Sequence, residues 1–177
     1  MIQNFSQELM TLFQSDGIAK SLVKDELLLK EGQVETSLYL IESGAVRVFL
    51  LSELEETNIR FGYSGSLINS LASFLRRAPS EFYIEALRKT EIRILSRDQI
   101  LNFIHQSQAH LEGYTAFIES AFAQQIDREI DLLTPSPADR LERVLKRSPN
   151  LFQEIPLKHI ASYLRMTPET ISRIRKS

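Results

Sequence analysis

Leu29-Lys30-Glu31-Gly32, followed by Ser37-Leu38-Tyr39-Leu40-Ile41-Glu42-Ser43-Gly44-Ala45-Val46-Arg47-Val48, carries the strongest β-signature of the chain. It holds two short apolar runs punctuated by glycine turns. Val46, Val48 and Leu50 alternate with Arg47 and Phe49, the period of a strand, and Ser43-Gly44 supplies the reversal before them. Runs of the same kind lie on either side. They are Leu27-Leu28-Leu29, Asn58-Ile59-Arg60-Phe61, Phe82-Tyr83-Ile84-Glu85-Ala86-Leu87 and Glu91-Ile92-Arg93-Ile94-Leu95. Strands at such close spacing predict a small β-sandwich or barrel. One segment interrupts them: Gly62-Tyr63-Ser64-Gly65-Ser66 is followed by Leu67, Leu71, Phe74 and Leu75 at helical spacing up to Pro79. A loop and a short helix are therefore expected between strands. Its free N–H groups could hold an anion, or it is a plain connecting helix capped by Ser66.

Helical periodicity flanks this β-region. Phe5, Leu9, Leu12 and Phe13 predict a short amphipathic helix, with Asn4 or Ser6 as its cap. After Ser96, which can cap a new helix, apolar residues recur at Ile100, Phe103 and Ile104. They continue through Leu111, Tyr114, Phe117, Ile118, Ala121, Phe122, Ile126, Ile130 and Leu133. With no proline from 97 to 134, this predicts one long helix or a pair broken near His105 or Gly113. A helix that long outreaches a small β-domain. Its stripe of Leu111, Tyr114, Ile118, Ala121, Phe122 and Ile126 is read as a homodimer seam, the alternative being packing within the chain.

The 177 residues are 43% hydrophobic and 25% charged, ordinary values for one large domain or two small ones. There is no cysteine, which excludes disulfides, Cys-ligated zinc, iron–sulfur clusters and cysteine nucleophiles. No basic stretch runs into an apolar one at the start, and nowhere do about 18 apolar residues follow one another, so a cytoplasmic chain with no membrane span is expected. The net charge of −2 hides a division at Thr134-Pro135-Ser136-Pro137. Residues 1–137 carry 12 Lys/Arg against 19 Asp/Glu, whereas residues 138–177 carry 9 against 4. A short basic piece at that end suggests an anionic partner, nucleic acid above all.

That basic piece reads as three short helices. Pro137-Ala138-Asp139 opens the first, with Leu141, Val144 and Leu145 inward, and Ser148-Pro149-Asn150 ends it. Leu157, Ile160, Ala161 and Leu164 share a face of the second, leaving Lys158 and His159 outside it. The third starts at a strongly specified point: Thr167 as N-cap, Pro168 in the first turn, and Glu169 at the positive end of the dipole. Two short helices about a tight turn, the first with a small Ala161, match a helix-turn-helix. Glu169, Thr170 and Arg173 then lie on one outward arc, with chemistry suited to cytosine N4, a thymine methyl and guanine O6/N7. Arg175 and Lys176 supply charge for phosphates, and Lys158, His159 and Thr167 complete the candidate DNA-binding set. The alternative is an ordinary three-helix bundle with a polar face.

These motifs together resemble the Crp/Fnr family of bacterial transcription regulators over nearly the whole chain. The glycine-punctuated strands are similar to the family's cyclic-nucleotide-binding β-roll, and Ile160-Ala161-Ser162-Tyr163-Leu164 with Thr167-Pro168-Glu169-Thr170-Ile171-Ser172-Arg173 to its DNA-binding motif. The resemblance implies an α+β chain: an N-terminal double-stranded β-helix (β-roll) with flanking helices, a long dimerisation helix, and a C-terminal winged-helix-like helix-turn-helix whose wing is absent or truncated. The units implied are 1–105 (sensor), 106–134 (dimerisation helix) and 135–177 (DNA-binding). It also implies a homodimer on a pseudo-palindromic operator in double-stranded DNA, with RNA polymerase and a small-molecule effector as further candidate partners.

The ligand site departs from the cyclic-AMP-binding pattern, which carries Gly-Glu before the cassette helix and an Arg just before the next strand. Here Gly65 is followed by Ser66, and Ser80-Glu81 stands at the Arg position; Arg76 and Arg77 lie nearby. Losing a charge-assisted bidentate contact removes about 1.5–3 kcal/mol. Gly65, Ser66, Arg76, Arg77, Ser80 and Glu81 are the candidate ligand residues, no tight cyclic AMP binding is expected, and no cofactor is implied with certainty. Arg165 stands where glycine is common in the helix-turn-helix turn, and Pro168 where many members carry an Arg. An enzyme on the β-roll would need strand-borne ligands, but His105, His110 and His159 all fall in predicted helices, and no catalytic or metal set stands out. The competing function is a ligand-binding regulatory module acting through protein partners.

Overall fold

The computed structural model describes residues 2–53 and 55–176. In chain order the elements are α1 (Ile2–Asp16), β1 (Ile18–Leu22), β2 (Leu27–Leu29), β3 (Ser37–Ser43), β4 (Ala45–Leu51), β5 (Glu56–Tyr63), β6 (Leu67–Ile68), α2 (Leu71–Arg76), β7 (Tyr83–Ala86) and β8 (Thr90–Ser96). The helices α3 (Arg97–Ile104), α4 (Gln108–Leu133), α5 (Pro137–Arg147), α6 (Leu151–Glu154), α7 (Leu157–Leu164) and α8 (Pro168–Ile174) follow.

The strands form two antiparallel four-stranded sheets, ordered β1-β8-β3-β6 and β2-β7-β4-β5. β3 and β4 are each an inner strand of one sheet. In β3, Tyr39 and Ile41 stand opposite Ile94 and Ile92; in β4, Val46 and Val48 stand opposite Gly62 and Arg60 of β5. Their inward side chains join Leu22, Leu29, Ile68, Ile84 and Ala86 in the core of the roll. The other faces are covered as well. Leu40 and Leu95 pack against α1, α3 and the start of α4 through Phe5, Phe13 and Phe103, while Ala45 and Leu87 join the core of α5–α8. The layers are thus helices, sheet, sheet, helices, and the C-terminal helices lie directly on the roll.

Two glycines explain local geometry. Gly44 turns the chain between β3 and β4 at φ +90°, and a Cβ there would meet Thr90 Oγ1 at 2.4 Å and the Lys89 carbonyl at 2.5 Å. Gly113 sits inside α4 because a Cβ would come within 2.5 Å of Phe5 on α1. The long helical stretch is therefore interrupted at His105–Ser107 and not at Gly113: His105 caps the end of α3, and the Ser107 hydroxyl accepts from His110 N–H to start α4. Ser96 makes the expected capping box with Gln99.

Elsewhere the sequence reading shifts. α1 already begins at Ile2, which places Ser6 inside it, and the side chain of Asn4 lies outside the described residues. Leu67–Ile68 is a short strand paired with Tyr39-Leu40, so α2 starts later and its N-cap is Ser70 instead of Ser66. The strand β1 and the single turn α6 have no counterpart in the sequence reading. Among the described residues no helix is long and apolar enough to cross a membrane.

Candidate nucleic-acid interface and interhelical cavity

α8 is built as its sequence requires. The Thr167 hydroxyl accepts from the Thr170 N–H at 3.2 Å, Pro168 occupies the first turn, and Ile171 is fully buried in the C-terminal core. The Glu169 carboxyl is held below its usual range by its own backbone N–H and by the Thr167 hydroxyl. With Ile171 seated inward, Glu169 and Arg173 are exposed on the opposite side and Thr170 is half-buried between them. Glu169, Arg173 and Lys176, with Pro168 and Ser172, line a shallow concavity of about 470 Å³. Arg175 is exposed and lies over the Phe152 ring, 4.3 Å from its centroid. Arg165 terminates α7 in the left-handed region (φ 53°, ψ 51°), and the following Met166 N–H donates to the Ala161 carbonyl at 2.9 Å.

α7 does not present its whole polar face outward. Lys158 is exposed, but His159 is only 9% exposed, because α7 lies on β5. Asn58 Nδ2 donates to the His159 carbonyl at 3.4 Å, the Asn58 N–H donates to Ser162 Oγ at 3.1 Å, and Ser162 Oγ donates to the Glu56 carbonyl at 3.0 Å. Burial, followed by the nearby Arg47 and Lys158 charges, lowers the His159 imidazole to about 4. This removes His159 from the outward surface. Tyr163 faces the same seam, its ring 5.4 Å from Phe61 and 4.1 Å beneath the Arg128 guanidinium.

The basic C-terminal charge is also less free than its sequence count. Arg143 and Arg147 both bind the buried Asp131 of α4, Arg143 at 2.9 Å, and Arg140 donates to the carbonyls of Thr134 and Leu164. Sequence reasoning missed this clamp. Its signal is the i, i+4 pair Arg143/Arg147 a short turn after an acid in the last turn of a long helix. On α4 itself Leu111, Phe122 and Ile126 are exposed, with Phe122 at 67%; Ile118 and Ala121 are half-buried, and Tyr114 packs into the α1–α3 core.

The candidate ligand residues separate into two places. Gly65 and Ser66 form the tight turn between β5 and β6 and border an open cavity of about 700 Å³ lined mainly by β5, β6, α4, α5 and α7. Arg76, Arg77, Ser80 and Glu81 lie off that cavity. Arg76 ends α2, Arg77 caps it in the left-handed region, and both are exposed, as is Glu81. Ser80 is buried: its hydroxyl bonds Ser70 Oγ at 2.9 Å and the Phe82 carbonyl at 3.0 Å, and accepts from the Phe82 N–H. A buried carboxylate not singled out from the sequence, Glu35, ties the start of α2 to β3. Its Oε1 accepts from the Tyr39 hydroxyl at 2.9 Å and the Ser37 N–H at 3.0 Å. Burial raises the Glu35 carboxyl, against these bonds.

The sequence profile of the cyclic nucleotide-binding domain matches residues 19–107, β1 through the end of α3. The chain belongs to this family. No curated protein matches it in sequence. Among solved structures it is similar to FixK2 from Bradyrhizobium japonicum, at 21% identity over 90% of this chain and 83% of that one, with a TM-score of 0.76. It is also similar to the c-di-GMP-responsive regulator CLP of Xanthomonas campestris (14% identity, 96% and 90%, TM-score 0.68). The third is the Thermus thermophilus catabolite activator protein (22%, 96% and 81%, TM-score 0.59). These are Crp/Fnr regulators, and the shared fold spans the β-roll, α4 and the C-terminal helices. Within this domain α2 starts at Leu71 after its N-cap Ser70, and the buried Ser80 hydroxyl bonds that N-cap side chain at 2.9 Å.

Proposed function

We propose that the chain is a sequence-specific DNA-binding transcription regulator that works as a homodimer. The observation that carries this reading is α8: a capped helix whose apolar side is seated by Ile171 and whose opposite side offers Glu169, Thr170 and Arg173 together. Arg173 is the base reader of greatest consequence, through the guanine-type bidentate contact, and Lys158, Thr167, Arg175 and Lys176 hold phosphates. His159 has no part in the contact. The working units are 1–105, 106–134 and 135–177, joined across the dimer by the exposed apolar residues of α4. The protein acts in the cytoplasm, with RNA polymerase as a further partner, and it is not an enzyme.

In-vitro selection of bound DNA at fixed salt tests this and should return a pseudo-palindrome. Arg173→Ala should then weaken specific binding by about 1–3 kcal/mol and relax one operator position. Unaltered specific binding would show that the reading face is wrongly assigned. Affinity should also fall steeply with added salt as phosphate counterions are displaced. A flat salt response would favour a module working through protein partners.

The β-roll is proposed not to use cyclic AMP. Ser80 cannot supply the charge that pairs with a cyclic phosphate, and its hydroxyl is committed to Ser70 and Phe82. Calorimetry should detect no cyclic AMP binding in the micromolar range.

A further inference from the structure

We propose that Arg128 and Asp131, one turn apart on α4, are positioning residues for α8: they hold the C-terminal helices at one angle to α4 and thereby set the spacing of the two half-sites the dimer reads. Beyond Gly113 these are the only two buried side chains of α4 among the described residues. The best-buried contacts between α4 and the C-terminal helices are therefore charged and directional, where an apolar stripe would tolerate sliding.

Asp131 is 1% exposed, and α5 grips both of its oxygens: Arg143 Nε donates to Oδ1 at 2.9 Å and Arg147 Nη2 donates to Oδ2. One carboxylate held from residues i and i+4 of a neighbouring helix fixes both where α5 lies along α4 and how it is rotated. Arg140, on the same helix, pins the joint. Its Nη2 donates to the Thr134 carbonyl at 2.9 Å and its Nη1 to the Leu164 carbonyl at 2.7 Å, which ties the linker to the end of α7. Three of the nine Lys/Arg beyond residue 137 are thus used inside the chain. Arg128 reaches the other two units. Its Nη2 donates to the Asn58 carbonyl of β5 at 3.2 Å, and its guanidinium lies 4.1 Å from the centroid of the Tyr163 ring of α7. Burial pulls this guanidinium below the ordinary arginine value, with the Tyr163 hydroxyl opposing. Turning α7 off this seat would leave a buried charge uncompensated, so the angle is defined from both sides.

The consequence for DNA rests on the regulator reading above. A dimer that reads two half-sites needs its two α8 helices at a separation matched to the turn of the duplex. α8 is seated on α5 and α7, and these meet α4 through Asp131 and Arg128, so the angle at this junction is passed on to α8. Neither residue belongs to the outward arc of Glu169, Thr170 and Arg173. Changing them should alter the spacing and leave the bases read unaltered.

The chain has no cysteine, so a pair of introduced ones can be spin-labelled without background. Gln108→Cys at the start of α4 and Gln153→Cys on α6 replace exposed side chains. Pulsed dipolar spectroscopy of the full chain without DNA, diluted with unlabelled protein, reads their distance within one chain. The parent should give one narrow distribution. Asp131→Asn and Tyr163→Leu should each broaden it about twofold or more as other placements become populated. Tyr163→Phe, which keeps the ring beneath Arg128, should leave it narrow. In-vitro selection of DNA should return a single half-site spacing for the parent and Tyr163→Phe, and several spacings for Asp131→Asn and Tyr163→Leu, with the same half-site sequence throughout. A general loss of structure would instead weaken every spacing alike. The proposal is overturned if the distribution stays narrow in both disrupted variants, or if it broadens and the spacing stays single. Should Asp131→Asn fail to fold, Tyr163→Leu against Tyr163→Phe decides. A parent that selects no DNA would overturn the regulator reading alone, and the distance widths would still decide the junction.

Discussion

Arg165 carries a Cβ into the left-handed backbone region that glycine occupies freely. Its exposed side chain makes none of the hydrogen bonds that hold the turn; these run from its own N–H to the Ser162 carbonyl and from Met166 to Ala161. Arg165→Gly should therefore stabilise the protein by about 0.5–1 kcal/mol, the relief of the left-handed strain less the added freedom of the unfolded chain. Urea unfolding reads this as a rise in midpoint at constant slope. No rise would mean that the guanidinium makes a contact worth as much as the strain.

At the scale of elements, legibility followed burial. β3 and β4 were readable because each buries alternate residues in the roll and the intervening ones elsewhere, so the apolar pattern is dense. β1 was not: four of its five residues are exposed, and it is held at the sheet edge by backbone pairing with β8, which leaves no mark on side-chain pattern. The α8 cap was readable because Thr167, Pro168 and Glu169 act within one turn. His159 was not, because what surrounds it is set by an element far away in sequence. The same contrast bears on α4, whose 26 residues span about 39 Å at 1.5 Å per residue. Its stripe was read as one surface, yet Tyr114 is taken by the α1–α3 core, and Phe122, Ile126, Ile130 and Leu133 stay exposed in the single chain. Phe122→Glu should then leave helix content unchanged and convert the dimer to monomer, as sedimentation equilibrium would show. A dimer that persists would move the seam off this face of α4.

For the molecule as a whole, two histidines join its layers and should oppose each other in pH. His110 bridges α4 to α1 and α3: its Nε2 lies 2.6 Å from the Glu8 carboxylate and its Nδ1 2.8 Å from the Phe103 carbonyl. The Glu8 hydrogen bond raises its pKa, so the stability it adds is present below the unfolded value of 6.5 and is lost as pH rises through the folded value. His159 is the reverse case. Within the seam between α7 and β5 it is lowered to about 4 by burial and by Arg47 and Lys158, against weaker help from Glu56 and Asp25. Between about 6.5 and about 4 the unfolded chain takes up a proton that the folded chain refuses, so stability should fall with pH across that window and level off below it. His159→Gln should flatten this slope, while His110→Gln should leave it and instead remove the loss of stability that comes with raising the pH above about 6.5. Urea unfolding at a series of pH values measures both. Because the refused proton lies in the contact that seats the C-terminal helices on the roll, an unchanged slope in His159→Gln would mean that α7 does not stay docked on β5 in solution.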